Sequence, residues 1–172
     1  MTDLGVTFPA EMLEQHLNMA QVVVDRLLTD MDDAHWLLRP HPKCNPINWQ
    51  VGHLVLSEHQ QMAKIAPGSM PALPAGFADA YRKPTGKPET LPHCESTRHL
   101  VPKDVLCNEM HRQRTATVEQ LHRFSTQQLQ QDSGISYAPK VYSVFLMIAT
   151  HWTMHSGQWT IVRREVGLPI AM

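Results

Sequence analysis

Apolar residues recur at intervals of three and four through the first part of the chain. On an α-helix this spacing places them along one face, which packs on the interior of a protein. The pattern therefore predicts a first long helix from about Phe8 to Met31. Its apolar face comprises Met12, Leu13, Leu17, Ala20, Val24, Leu27, Leu28 and Met31.

A second apolar helix is predicted after residues 34–44, whose proline and histidine content interrupts the helical pattern. Asn45 is a favourable N-cap, and Pro46 fits the first helical position because that residue needs no backbone donor. The helix should continue to Ala66 and stop at Pro67, because proline cannot continue the hydrogen-bond ladder.

A long loop is predicted to follow this helix. Residues 67–99 contain six prolines and three glycines, a composition that resists both helix and central strand. We predict an ordered loop and not a domain boundary, because the chain after it is too short to fold separately. The whole chain, residues 1–172, is therefore predicted to form a single domain.

Two further long helices are predicted in the remainder of the chain. The third starts near Pro102 and continues to about Gln131, where residues 132–134 end it. Its exposed face is rich in arginine, glutamine and glutamate. The fourth opens near Pro139 and ends at Gly167.

The lengths of the links predict the directions of the helices. Neighbouring helices joined by a short link run antiparallel, whereas a parallel neighbour needs a crossover that spans the bundle. Residues 67–99 can form such a crossover, since a helix of about 20 residues is about 30 Å long. We therefore predict an all-α four-helix bundle with up-down-down-up topology, in which the second and third helices run parallel.

Composition narrows the functional classes. The formal net charge of the 172 residues is -1, so no broad basic surface indicates nucleic acid or an anionic membrane, and a small or neutral partner fits better. The cysteines Cys44, Cys94 and Cys107 are widely spaced, which argues against a disulfide framework and against a zinc finger. The N-terminus is not signal-like and no apolar run could span a bilayer, so we expect a cytoplasmic protein.

Histidine is frequent, with eleven residues, and the spacing of three of them suggests a metal site. His151 and His155 lie four residues apart in the fourth predicted helix, so their imidazoles share one face and can hold one ion. His53 lies in the most apolar part of the second helix, where a metal would satisfy a buried imidazole. An alternative remains open, because such a pair arises easily by chance at this frequency and all three could be core residues that bind no metal.

Three other histidines on predicted helices are weaker candidates for metal ligands. His59 is flanked by Glu58 and two glutamines and is expected to face solvent. His111 and His122 lie among arginines, whose charge would repel a cation.

Two short motifs carry a resemblance to a known family. The first is Asn48-Trp49-Gln50-Val51-Gly52-His53-Leu54. The second follows the third helix and reads His151-x-x-x-His155-x-Gly157-Gln158, with Arg163-Arg164 and Gly167 beyond it. In their order and spacing, together with the helix order and the long middle loop, they resemble the DinB and YfiT-like family of four-helix metalloproteins. The resemblance covers nearly the whole chain.

The resemblance implies an up-down-down-up bundle, commonly a homodimer, with a metal ion bound by three histidines that map onto His53, His151 and His155. The family includes thiol-dependent S-transferases, a mycothiol-dependent maleylpyruvate isomerase and many members of unknown activity. This sequence reproduces no pattern that assigns it to one of these activities. Fold and site therefore transfer better than reaction does.

Three imidazoles with open coordination positions are typical of a catalytic metal, since structural zinc is usually closed by four protein ligands. Zinc or nickel is the expected ion, and a low-molecular-weight thiol is a further candidate cofactor. Gln158, close after His155, and Ser57, one turn after His53, are candidates to accept a hydrogen bond from an imidazole or to contact substrate. No residue is assigned as a catalytic base.

Two functional hypotheses follow for a protein that binds metal. The first is a metal-dependent enzyme that acts on a small molecule by thiol transfer or by hydrolysis. The alternative is a non-catalytic binding or stress-associated protein in which the metal only stabilises the bundle.

Overall fold

The computed structural model describes residues 10–86 and 92–170. Within them the chain forms seven helices and one antiparallel pair of short strands. The long helices are α1, Ala10–Leu28; α3, Ile47–Ile65; α5, Lys103–Leu121; and α7, Val141–Glu165. The short elements are α2, Asp33–Trp36; α4, Phe77–Tyr81; α6, Thr126–Leu129; β1, Asp132–Ile135; and β2, Ala138–Lys140.

Some predicted segments extend beyond this part of the chain. The predicted start of the first helix at Phe8 and residues 87–91 of the predicted loop lie outside the described residues. Among the helices of residues 10–86 and 92–170, none has the length and apolar character that a membrane crossing needs.

Helices α3 and α5 run in the same direction. Asn48, at the start of α3, donates from its side-chain amide to the carbonyl of Val101, just before α5, over 2.9 Å. Further along both helices, Glu58 pairs with Arg114 at 2.9 Å. Contacts later in α3 are made with residues later in the α5 segment, so the two helices are parallel, as the length of the link between them predicts.

Helix α7 runs against α3. Trp159, late in α7, donates from its indole to Gln50, near the start of α3, over 3.0 Å. Trp152 lies earlier in α7 and donates to Glu58, further along α3, over 2.8 Å. This antiparallel packing brings the middle of α7 against the middle of α3.

Helix α1 runs against α5. His111 lies 3.0 Å from Asp25, late in α1, whereas Arg114, one turn later in α5, donates to the carbonyl of Leu17, earlier in α1, over 3.0 Å. The four long helices therefore form an up-down-down-up bundle, which confirms the predicted topology.

The predicted apolar faces form the core, with one exception on α1. Met12 is 57% exposed, because consecutive residues of a helix are about 100° apart and Met12 lies beside the buried face that Leu13 and Leu17 define. Met31 is buried, although α1 ends before it, at Leu28. The largest buried side chains include Trp36, Trp49, Trp152 and Trp159.

Part of the polar face of α5 is buried, and the prediction that this face is exposed is wrong there. The buried polar residues of α5 are Glu109, Gln113, Arg114 and Thr117. Arg114 donates two hydrogen bonds of 2.9 Å to the carboxylate of Glu58 on α3, and Thr117 donates a third of 2.8 Å. Polar side chains are tolerated in an interior when each finds a partner.

The third long helix ends at Leu121, short of the predicted end at Gln131. The backbone N–H of Gln128 donates to the Ser125 hydroxyl, and the Gln128 side chain accepts from the Ser125 backbone. This capping box begins α6 as a separate helix. The strands β1 and β2 follow, and Pro139, predicted to open the last helix, lies in β2.

The start of α3 is tied to the loop that precedes α5. Asn45 does not cap α3 with its side chain; instead its side-chain oxygen accepts a 2.8 Å hydrogen bond from the backbone N–H of Cys94, and Pro46 occupies the N-cap position. Arg39 donates to the carbonyls of Cys44 and Cys94, over 2.7 and 2.6 Å. These bonds hold the loop against the first turn of α3.

Candidate metal centre

The antiparallel packing of α3 and α7 brings together the three histidines that the sequence selects. The ring centroids of His53 and His151 are 5.4 Å apart, those of His53 and His155 are 6.0 Å apart, and those of His151 and His155 are 5.0 Å apart. One ring nitrogen from each lies within 4.8 Å of the others. We call His53, His151 and His155 the histidine cluster.

The backbone of α4 holds the ring of His53. Its Nδ1 lies 3.4 Å from the carbonyl oxygen of Tyr81, and because a carbonyl only accepts, this nitrogen carries the proton. Trp49, one turn earlier on α3, stacks on the ring with an interplanar angle of 5° and a centroid distance of 5.0 Å. The other nitrogen, Nε2, is therefore left with a lone pair for a ligand.

Gly52 allows this close approach of α4 to α3. A Cβ atom added at Gly52 would lie 2.3 Å from the ring of Tyr81, far inside contact distance. The Tyr81 hydroxyl donates to the side chain of Asn48 over 3.0 Å and accepts from the backbone N–H of Val101 over 2.9 Å. Gly52 therefore makes room for Tyr81, the residue whose carbonyl orients His53.

A buried glutamine holds His155. The side-chain oxygen of Gln50 lies 3.1 Å from Nδ1 of His155 and accepts a 3.0 Å hydrogen bond from the indole of Trp159. The amide nitrogen of Gln50 donates to the carbonyl of Asn45 over 2.8 Å, which assigns the oxygen to the histidine side. His155 therefore carries its proton on Nδ1 and presents Nε2 as a free acceptor.

The histidine cluster is uncharged at neutral pH. Burial lowers the pKa of His53 and of His151 to about 4 and that of His155 to about 3, and the positive charge of Lys83 acts in the same direction on all three. Neutral imidazoles are the form that binds metal. The protonation state is therefore already the one that a metal site needs.

The donor set fits a divalent transition-metal ion. It supplies three neutral imidazole nitrogens at mutual distances that one ion can bridge, and imidazole suits zinc, copper, iron and nickel. Within the described residues, no cysteine or carboxylate joins the group. Glu58, the nearest carboxylate in sequence, is instead bonded to Arg114 and Trp152. An ion here would be held by three protein ligands.

Gln158 and Ser57, the two residues predicted to bond to an imidazole or to contact substrate, line different cavities. Gln158 lines a cavity of about 150 Å³ together with His155, a position from which it can contact a bound molecule. Ser57 accepts a 2.9 Å hydrogen bond from Gln61 and lines a different cavity, beside β1. In the part of the chain that the structure describes, the hydrogen-bond partners of the histidine cluster are Gln50 and Tyr81.

The other predicted histidines lie away from this centre. His59 is half-buried and bonded to Gln113 at 3.1 Å. His111 and His122 are exposed and pair with carboxylates on α1, at 3.0 and 3.1 Å.

Fold and site together define a four-helix bundle protein with a candidate metal centre of three histidines from two antiparallel helices. The chain belongs to the DinB superfamily, whose family model matches residues 16–159, and metal binding is frequent in this superfamily. A crystal structure of a conserved protein from Enterococcus faecalis is similar, with a TM-score of 0.63 and 17% sequence identity over 90% of this chain and 94% of that one. At this identity the likeness shows the fold alone. No curated protein matches the sequence significantly.

Proposed function

We propose that the protein is a metal-dependent enzyme that acts on a small molecule, with one divalent ion held by the histidine cluster. The observation that carries the proposal is a set of three neutral imidazoles close enough to share one ion, of which that of His155 lines a cavity. Structural zinc sites are usually closed by four protein ligands, whereas catalytic sites keep a position for water or substrate. Three ligands beside a cavity match the catalytic arrangement.

The residues of the chain prepare this site before any ion binds. Gln50 and the carbonyl of Tyr81 fix the tautomers of His155 and His53, so that both keep an unprotonated Nε2 for an ion. Burial keeps the imidazoles neutral and limits the access of bulk water. When bound, a divalent ion supplies a Lewis acid that lowers the pKa of a coordinated proton-bearing group.

The reaction types that agree with this chemistry are thiol transfer and hydrolysis. Both need an activated nucleophile near neutral pH, either a thiol or a water molecule. We propose zinc or nickel as the ion, with a low-molecular-weight thiol as cosubstrate in the transferase case. A cytoplasmic location and a homodimer remain part of the proposal, and sedimentation equilibrium of the metal-loaded protein tests the second.

Activity measurements on metal-stripped protein test the enzymatic proposal. Thiol conjugation to electrophiles and ester or amide hydrolysis are assayed with the metal-loaded protein, the chelator-treated protein and the His151→Ala variant. We expect activity only in the metal-loaded wild type, restored after chelation by zinc or nickel. Activity that survives complete removal of the metal, or that persists in His151→Ala, would contradict the proposal.

A second function is favoured by the way the histidine cluster joins two helices. Because its ligands come from α3 and α7, an ion held there would also stabilise the bundle by mass action, since it binds only the folded chain. A non-catalytic binding or stress-associated protein would use the metal in this way alone. The visible spectrum of the cobalt(II)-loaded protein distinguishes the enzyme from the non-catalytic protein. Added thiols or carboxylates shift this spectrum only if a coordination position is exchangeable, which the enzyme requires.

A further inference from the structure

Two adjoining cavities lie beside the histidine cluster. The smaller, of about 150 Å³, is lined by His155 and Lys43, among others, and the larger, of about 460 Å³, by Arg82 and His99. Residues that line both cavities are Trp49, Lys83 and His93. The two cavities therefore adjoin, and we call them together the basic groove.

The described residues that line the basic groove carry more positive than negative charge. Asp79 is the carboxylate among them and lies 3.4 Å from Arg82, so this pair adds no net charge. Lys43 and Lys83 are the other charged lining residues. Three of the four charged residues that line the groove in the described structure are therefore basic.

The charge of Lys83 reaches the histidine cluster. Lys83 and His155 line the same cavity of about 150 Å³, so the charge and this imidazole border one small space, where a charge is poorly screened. The same field attracts an anion into the smaller cavity, which His155 borders. Lysine is a mobile point charge with three donors, and it binds carboxylate and phosphate oxygens well.

We propose that the basic groove selects a small anionic substrate, whose carboxylate or phosphate group lies at Lys43 and Lys83 while its reacting atom meets the metal at the histidine cluster. This inference rests on the proposed function and adds the class of substrate to it. A molecule that reaches both places needs two functional groups a few bonds apart. The lysines position such a substrate through charge-assisted hydrogen bonds.

Calorimetric titration of zinc-loaded protein with two stable probes tests the inference. Succinate carries two carboxylates, and phosphonoacetate carries one carboxylate and one phosphonate. We expect at least one probe to bind, with a dissociation constant about tenfold larger in Lys43→Gln and in Lys83→Gln, the loss of about one charged contact. The preferred probe identifies the anionic group that the lysines take.

Two further variants control for effects on folding and on general charge. Lys83→Arg keeps the positive charge and should bind the preferred probe within about threefold of the wild type. Lys64→Gln removes a lysine that lines a different cavity, with Ser57 and Tyr137, and should bind within about twofold, because its charge is screened from the groove. Equal binding to all variants, or no binding of either probe to the zinc-loaded wild type, would overturn the inference.

The zinc content of each sample separates this inference from the proposed function. A wild type that takes up neither zinc nor nickel refutes the proposed function, and the inference falls with it. Full zinc occupancy with binding that does not depend on Lys43 or Lys83 overturns the inference alone.

Discussion

Gln50 joins two residues of α7 through a single oxygen atom. That oxygen accepts from Trp159 and lies 3.1 Å from Nδ1 of His155, and the amide nitrogen is fixed by the carbonyl of Asn45. The glutamine is 1% exposed, so its orientation is settled by protein partners and not by solvent. It orients the ring of His155, and the loss of such a partner from a metal-binding histidine usually weakens metal affinity by about 10- to 100-fold.

We expect Gln50→Ala to weaken zinc binding by about 10- to 100-fold, the usual cost of removing a hydrogen-bond partner of a metal-binding histidine. Competition with a chromophoric chelator measures the affinity. Gln158→Ala is the matched control, since Gln158 lines the cavity beside His155 without a hydrogen bond to it in the described structure, and its zinc affinity should stay within about threefold. Equal losses in both variants would contradict the assigned role of Gln50.

Gly52 offers a second test at the scale of one residue. The Cβ of Gly52→Ala would meet the Tyr81 ring at 2.3 Å, so α4 must shift and the Tyr81 carbonyl must leave His53. We expect a loss of about 1–3 kcal/mol in the free energy of unfolding of the metal-free protein, measured by urea denaturation, together with weaker zinc binding.

The control for this substitution is Gly157→Ala on α7. A Cβ at Gly157 has no atom within 4 Å, so alanine should be neutral or should stabilise the helix by up to about 1 kcal/mol. If Gly52→Ala were as stable as Gly157→Ala, the close packing of Tyr81 on α3 would be wrong.

At this scale the sequence identifies the candidate ligands better than it identifies their hydrogen-bond partners. The spacing of His151 and His155 is visible because it is local, and His53 stands out because its neighbours are apolar. The Tyr81 carbonyl leaves no trace in the sequence, since every residue has one and only the fold brings this one to His53. Gln50 does leave a signal, since it is a polar residue one turn before His53 in an apolar helix.

Glu58 connects three of the long helices. It lies on α3, accepts two hydrogen bonds from Arg114 and one from Thr117 on α5, and accepts another from the indole of Trp152 on α7. The carboxylate is 2% exposed. A buried charge of this kind is tolerated because every partner is present.

Removing that charge should be costly. Glu58→Gln leaves the guanidinium of Arg114 buried without its counter-ion, and we expect the free energy of unfolding to fall by about 3–5 kcal/mol. Urea denaturation monitored by circular dichroism measures this change. Glu119→Gln, an exposed position on α5, should change stability by no more than about 0.5 kcal/mol. A cost below about 1 kcal/mol at Glu58 would contradict the buried network.

The same carboxylate predicts a pH dependence. Burial raises the pKa of Glu58, but the charge of Arg114 and the hydrogen bonds from Arg114, Thr117 and Trp152 outweigh it, so the pKa in the folded protein lies below that of an exposed glutamate. Its stabilising contribution is therefore present above the unfolded pKa of about 4.3 and is lost as the pH falls through the folded pKa.

The stability difference between the wild type and Glu58→Gln should follow this titration. We expect it to be constant between about pH 5 and 7 and to shrink as the pH falls below about 4. Urea denaturation at a series of pH values measures it, and effects of other groups cancel in the difference. A difference that grows in acid would mean that the folded pKa is raised.

The long helices were predictable and the short elements were not. Apolar periodicity over many residues marks the long helices, whereas α2, α4 and α6 have five residues or fewer, too few to show a period. The capping box of Ser125 and Gln128 is a local signal that separates α6 from α5. Within residues 10–86 and 92–170, the strands β1 and β2 form a sheet of two strands, and they are too short for apolar alternation to distinguish them.

At the scale of the molecule, the topology followed from the length of one link. Residues 67–99 can cross the bundle, and the parallel course of α3 and α5 agrees with that reasoning. The centre then results from topology, since antiparallel packing of α3 and α7 brings His53 to a pair that lies far away in sequence. Net charge sums the whole surface, so it does not predict that Lys43 and Lys83 line one cavity with His155.

The central claim is that the histidine cluster binds one metal ion, and the zinc content of tag-free protein tests it most directly. Mass spectrometry after reconstitution with zinc or with nickel, followed by desalting, should find about one ion per chain in the wild type. His59→Ala is the control and should retain the ion, because His59 lies on α3 like His53 but bonds to Gln113. In His53→Ala and His155→Ala most of the ion should be lost. A wild type without zinc or nickel after reconstitution, or histidine variants that retain a full ion, would contradict the account.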